Sequence, residues 1–168
     1  MDAFAMLKAD HREVAALFEK LDETTERGVK VRTEAFEKLH HDLIVHMLVE
    51  ETVLYPALKE FKGSRALSFE AVEEHKVVKI LLEALSAMAV DTEEWTAKLA
   101  VLKENVEHHV REEEGELFPH ALKELTAEEQ VLVADRLASE KARILAVMEW
   151  GPIPVLPVDG EPGELGLR

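Results

Sequence analysis

The chain has 168 residues, 47% of them apolar and 33% charged, with a formal net charge of −15 and no cysteine. That length suits one domain with a sizeable core, and the lack of cysteine excludes disulfides, thiolate metal sites and thiol catalysis together. So acidic a surface repels phosphate backbones, which argues against direct nucleic-acid binding.

Ala, Leu, Glu, Lys and Val dominate and glycine is scarce before residue 151, a composition that favours helix over sheet. The N-terminus, Met1 to Ala5, lacks the basic and long apolar regions of a signal peptide. The most apolar stretch, Val77 to Val90, is broken by Lys79 and Glu83, so no membrane span is expected and the cytoplasm is the default location.

Five helices are predicted. The first runs from about Ala3 to Arg27, with Phe4, Leu7, His11, Val14, Leu17, Phe18 and Leu21 on one side, and stops at Gly28. The second begins near Thr33, carries Phe36, Leu39, Leu43, His46, Glu50 and Leu54 at helical spacing, and ends by Gly63. The third spans about Ser68 to Ala89. Asp91 and Glu94, in capping-box spacing, open a fourth that reaches about Leu125; Thr126 and Glu129 open a fifth, at about 127–149. Residues 151–168 hold four of the six prolines and four of the seven glycines, so an extended tail is expected, with Ile153, Val155 and Leu156 docking on the bundle or a neighbour. Residues 1–150 then form one helical bundle, with its chemistry within 1–125.

The second and fourth helices superpose at an offset of 63: Leu39 on Leu102, Leu43 on Val106, His46 on His109, Glu50 on Glu113, Tyr55 on Phe118 and Pro56 on Pro119. The first and third repeat at 64, placing His11 with Val14 and Leu17 against His75 with Val78 and Leu81. Shared apolar positions would mean only amphipathic helices, but shared His, Glu and Pro in one register indicate a duplicated hairpin. Each Pro follows its Glu by six residues, late in a helix, where it frees the carbonyl of Thr52 or Gly115 and predicts a kink.

His and Glu four apart share a helix face. Across a four-helix bundle, His11, His46, His75 and His109 supply one imidazole per helix, and Glu50 and Glu113 supply two carboxylates. If both carboxylates bridge, each of two metal ions gains two nitrogens and two oxygens, and an oxo or hydroxo bridge leaves a position open for a small molecule. Mixed imidazole and carboxylate ligands suit iron, manganese or zinc, with redox capability favouring iron, whereas magnesium and calcium want oxygen shells. Buried without metal, these six would be costly to desolvate. His40, His41, His108 and His120 break the repeat and stay outside the ligand set, with His41 and His108 candidates to orient a ligand from behind.

With these residues placed, the chain resembles the hemerythrin-like (HHE cation-binding) domain family over residues 1 to about 125. The resemblance rests on His11, His46-x-x-x-Glu50, His75 and His109-x-x-x-Glu113 with the trailing Tyr55-Pro56 and Phe118-Pro119. It implies an all-α, up-down four-helix bundle, here with an additional C-terminal helix, around a non-heme pair of iron ions that takes O2, peroxide or NO. Oxygen-carrying members have a second His one turn after the third-helix ligand, where this chain has Lys79, and an Asp five residues after the fourth-helix His, where this chain has Glu113 at four. Those departures point away from oxygen carriage and toward sensing, detoxification or catalase-like peroxide disproportionation, although no dedicated acid or base stands out. Iron binding or oxygen storage, or a structural interaction bundle using the fifth helix, are the alternatives. Ferritin-like sites use Glu-x-x-His spacing and are rich in carboxylate, whereas the ligand candidates here run His-x-x-x-Glu and are rich in imidazole, which argues against that class.

Overall fold

The computed structural model describes residues 3–148. Among them the secondary structure is entirely helical: α1 (Ala5–Asp22), α2 (Val29–Val49), α3 (Tyr55–Leu58), α4 (Arg65–Ser86), α5 (Glu93–Glu112), α6 (Phe118–Glu124) and α7 (Ala127–Met148). Two five-residue π-helical turns, Glu50–Leu54 and Glu113–Leu117, join α2 to α3 and α5 to α6. The four long rods form an up-down bundle of two hairpins, α1 with α2 and α4 with α5, and α7 packs across α2 and the first π turn. No helix among the described residues is long and apolar enough to cross a membrane.

Expected and observed boundaries differ at several ends. The first helix stops at Asp22 rather than Arg27, the second starts at Val29 rather than Thr33, and the third occupies Arg65–Ser86. The fourth is capped by Thr92, whose side-chain oxygen accepts the Trp95 amide at 3.2 Å, and not by Asp91. The box at Thr126 and Glu129 forms as expected, with reciprocal bonds of 2.8 and 3.2 Å opening α7. The tail at 151–168 lies outside the described residues.

At the two prolines, where kinks are expected, the rods pass through the π turns. The Tyr55 and Phe118 amides reach back five residues, to the carbonyls of Glu50 and Glu113. Pro56 and Pro119 then fall in the first turn of the segment beyond, where a missing N–H costs least. Thr52 Oγ1 donates to the Leu48 carbonyl at 2.7 Å within the loosened ladder. The extra residue also re-aims side chains. On a plain α-helix five residues rotate by about 500°, leaving Tyr55 about 140° away from Glu50. The wider turn brings them to one face, and the Tyr55 hydroxyl lies 3.3 Å from Glu50 Oε2.

Two apolar clusters fill the bundle. One gathers Leu7, Val49, Leu54, Leu58, Ala71, Leu117, Phe118 and the α7 residues Val133, Leu137 and Ile144. The other gathers Val14, Leu17, Leu39, Leu43, Val78, Leu82, Leu102 and Val106. His11 falls between Leu7 and Val14, and His75 between Ala71 and Val78, so a polar layer separates the two. Ile44, Val45, Met47 and Val49 are all buried because α2 meets the bundle on one side and α7 on the other. Leu137→Ala, at a fully buried position of α7, is expected to destabilise the protein by about 2–5 kcal/mol in chemical denaturation. An unchanged midpoint would mean that α7 is not part of the core.

Candidate metal centre

All six side chains singled out by the repeat meet in the polar layer and are at most 5% exposed. α1, α2, α4 and α5 contribute His11, His46, His75 and His109, while Glu50 and Glu113 open the two π turns. The imidazoles pair through their inner nitrogens: His11 Nε2 lies 3.1 Å from His46 Nε2, and His75 Nε2 lies 3.1 Å from His109 Nε2. Glu50 joins the pairs, with Oε1 3.2 Å from His46 Nε2 and Oε2 3.4 Å from His75 Nε2. Glu113 Oε2 joins them on the other side, 3.3 Å from His11 Nε2 and 3.4 Å from His109 Nε2.

The outer nitrogens fix which way these rings are protonated. His11 Nδ1 donates to Glu114 Oε1 at 2.7 Å, His75 Nδ1 to Glu51 Oε1 at 2.9 Å and His109 Nδ1 to Glu74 Oε2 at 2.7 Å. His46 Nδ1 faces Asp10 Oδ2 at 3.5 Å, too far for a well-formed bond. With Nδ1 protonated, the Nε2 atoms of His11, His75 and His109 each present a lone pair inward, toward a neighbouring imidazole nitrogen or a carboxylate oxygen. Glu50 Oε1 and Glu113 Oε2 are buried there without a hydrogen-bond partner. Acceptors crowded at such spacing repel unless a cation lies among them. Two bonds of about 2.1 Å, as imidazole makes to zinc, separate their donors by about 3.0 Å at a right angle and about 3.4 Å in a tetrahedron. The observed spacings of 3.1–3.4 Å fall in that range. The donor set fits two cations, one per imidazole pair.

Electrostatics follow from this crowding. Burial and the neighbouring Glu113 push the Glu50 carboxyl well above its ordinary value. Burial would raise Glu113 as well, but His109, His11 and His46 outweigh it and hold that group down. Burial lowers His46, and lowers His75 to about 4, against the pull of Glu51. His109 is likewise penalised by burial, yet Glu113 and Glu74 overcome this and raise it.

Several contributors are not anticipated by the ligand repeat. Tyr55 Oη donates to Glu113 Oε1 at 2.8 Å and lies 3.2 Å from His75 Nε2, held protonated by burial and the two carboxylates. Its counterpart Phe118 stacks on Phe4 instead, 4.6 Å between centroids. Lys79, at the position of the family's extra His, binds both Glu51 oxygens at 2.7 and 2.8 Å and so braces the carboxylate behind His75. Lys141 of α7 reaches Asp10 Oδ1 at 2.5 Å, behind His46. The supporting acids carried a signal of their own, since Asp10-His11 matches Glu74-His75 and Glu50-Glu51 matches Glu113-Glu114 at the same offsets. Of the histidines left outside the set, His108 contacts Glu74 Oε1 at 3.2 Å, His41 pairs with Asp42, His40 stacks on Phe36, and His120 is exposed.

Unfolded His75 takes a proton near its ordinary 6.5, and folded His75 only near about 4. Between those values protonation favours the unfolded chain, so chelated, metal-free protein is expected to lose stability as pH falls through that window. His75→Gln should flatten this part of the stability curve, and an equally steep curve would contradict the assignment. Lys141→Ala, which frees Asp10 from behind His46, is expected to weaken metal affinity about tenfold in a chelator competition, without unfolding the chain. Unchanged affinity would show that α7 does not brace His46.

Comparison with known proteins identifies the family. The family model "Hemerythrin HHE cation binding domain" matches residues 2–121. A Nostoc sp. protein named DNA nickase is 30% identical over 139 residues, 83% of this chain and 39% of that protein. An uncharacterized hemerythrin-like protein of Schizosaccharomyces pombe is 24% identical over 134 residues, 79% of this chain and 65% of its own length. This chain thus spans less than two thirds of either curated relative. The crystal structure of a hemerythrin HHE cation binding domain-containing protein, the Rv2633c homolog from Mycobacterium kansasii, superposes with a TM-score of 0.70 at 23% identity, over 89% of this chain and 93% of that one. The chain belongs to the hemerythrin HHE cation-binding domain family.

Proposed function

We propose that this domain holds two iron ions, one between His11 and His46 and one between His75 and His109, with Glu50 and Glu113 shared between them, and that the pair binds or reacts with O2, peroxide or NO. The observation that carries this reading is the two inward Nε2 pairs at 3.1 Å, flanked by buried carboxylate oxygens that have no other partner. Four imidazoles disfavour magnesium and calcium, and the mixed nitrogen and oxygen set suits a redox-active first-row metal. Bound there, such ions would supply open coordination positions and one-electron chemistry.

The chain's own residues prepare the site. Glu114, Glu51 and Glu74 lock the rings of His11, His75 and His109 from behind and aim their inner nitrogens at the layer. On the imidazole side a small cleft is lined by Val14, Leu43, Met47, Val78, Val106 and Val110, which favours a small apolar gas over a charged substrate. On the carboxylate side Tyr55 keeps its proton at Oη, 2.8 Å from Glu113 Oε1, and supplies the acid that the ligands themselves do not. Tyr55 opposite Phe118 also makes the two metal positions unlike, in a site without the fifth imidazole of oxygen carriers. A nickase activity of the kind named for the Nostoc relative finds no support in a chain of net charge −15.

Metal analysis of purified protein is expected to return two irons per chain, with a visible band that changes on adding azide. His46→Ala and Glu113→Ala are expected to lose most of the metal and to melt at lower temperature, because binding is linked to folding. A variant still holding two irons would refute the ligand set. Tyr55→Phe should keep both irons while slowing O2 evolution from peroxide; unchanged turnover would remove Tyr55 from the chemistry.

A further inference from the structure

We infer that Glu74, His108 and Glu112 form an outer cation site that collects a divalent metal ion from solvent and feeds it to the inner pair past Glu113, an inference that rests on the two-metal reading above. In the run His108-His109-Val-Arg-Glu112-Glu113 the chelating spacing of the inner layer is written twice, one residue apart. His109 and Glu113 face inward, while His108 and Glu112 lie one helix position round, at the surface. His108 Nε2 stands 3.2 Å from Glu112 Oε1 and 3.2 Å from Glu74 Oε1. These spacings match those of the inner layer. One proton on Nε2 cannot bond both oxygens, whereas a cation can take all three atoms, which lie within 4.8 Å of one another.

A second observation ties this cluster to the interior. A narrow cleft beside it is lined by Leu67, Ala71, Glu74, Glu112, Glu113 and Leu117. Glu113 is 1% exposed, and its Oε2 has no hydrogen-bond partner. The cleft therefore runs from the surface donors to one of the two carboxylates of the inner layer. Glu74 spans the two sites, with Oε1 toward His108 and Oε2 on His109 Nδ1 at 2.7 Å. An ion held outside is thus one carboxylate away from the inner imidazoles. Acidic clefts concentrate cations and raise their on-rates by about 10–1,000-fold.

The test uses full-length, chelator-stripped protein and micromolar Co(II), with the cobalt visible band reporting inner loading and equilibrium dialysis reporting stoichiometry. Wild type is expected to bind two ions tightly and a third weakly. His108→Gln combined with Glu112→Gln should lose the third ion and load the inner pair about tenfold more slowly, reaching the same final band with an unchanged melting temperature. Glu112→Gln alone, which leaves Glu74 and His109 untouched, should slow loading in the same direction. Wild-type rates in the double variant, or retention of its third ion, would overturn the outer site and leave the inner one standing. Failure of wild type to bind any Co(II) in the inner layer would overturn both.

Discussion

Six ionisable side chains lie in one layer between two apolar clusters, and a bundle of this size cannot bury so many polar atoms without giving each a partner. The outer ring nitrogens face carboxylates. The inner ones face each other, the oxygens of Glu50 and Glu113 and, at His75, the Tyr55 hydroxyl, so acceptors outnumber donors there. The bond from Tyr55 to Glu113 relieves part of this conflict. A cation between each imidazole pair, as proposed here, would relieve the rest. The structure is organised around that requirement: four rods bring one ring each to the layer, and two π turns deliver the carboxylates.

The duplicated hairpin explains why the layer is built so economically. In each half the acid before the lone His serves the neighbouring rod within the same hairpin: Asp10 faces His46, and Glu74 holds His109. The acid after the shared Glu serves the other hairpin: Glu51 holds His75, and Glu114 holds His11. Neither hairpin can complete its own imidazoles, so formation of the site and docking of the two halves are one event. The symmetry is broken at few places. Tyr55 stands against Phe118, Lys141 from α7 reaches only Asp10, and Lys79 reaches only Glu51.

The positions of His11, His46, Glu50, His75, His109 and Glu113 were legible because repetition at one offset filters them from the other histidines and acids. Five rods, counting α2 with α3 and α5 with α6 across their π turns, and the Thr126 cap were legible from periodicity and capping chemistry. The π turns were not. A Pro late in a helix signals a disturbed ladder but does not say whether the rod bends or takes in an extra residue, and that is decided by where Tyr55 and Phe118 must point. The bracing lysines were equally hidden, because Lys141 and Asp10 are 131 residues apart and nothing local links them. The apolar run from Leu43 to Val49 did hold information about α7, since a rod buried on both sides loses its polar face.

Charge completes the account of what the layer can hold. Glu50 and Glu113, with Asp10, Glu51, Glu74 and Glu114 behind the rings, bring six negative charges when ionised, and Lys79 and Lys141 return two positive ones. The remaining four are the charge of two divalent ions. Two divalent ions, as proposed here, would leave a layer near neutrality, the cheapest state to bury between apolar clusters. Raising either ion to a higher charge would make the layer positive and draw in an anionic ligand or drive off a proton. Tyr55 is the nearest protonated hydroxyl, and the apolar cleft on the imidazole side admits no competing charge of its own. Lys79 therefore does more than displace a ligand. An imidazole at that position would add a donor but remove a positive charge from behind Glu51, shifting the balance toward more highly charged ions. Under the two-ion proposal, a site braced by lysine at that point would favour the reduced pair.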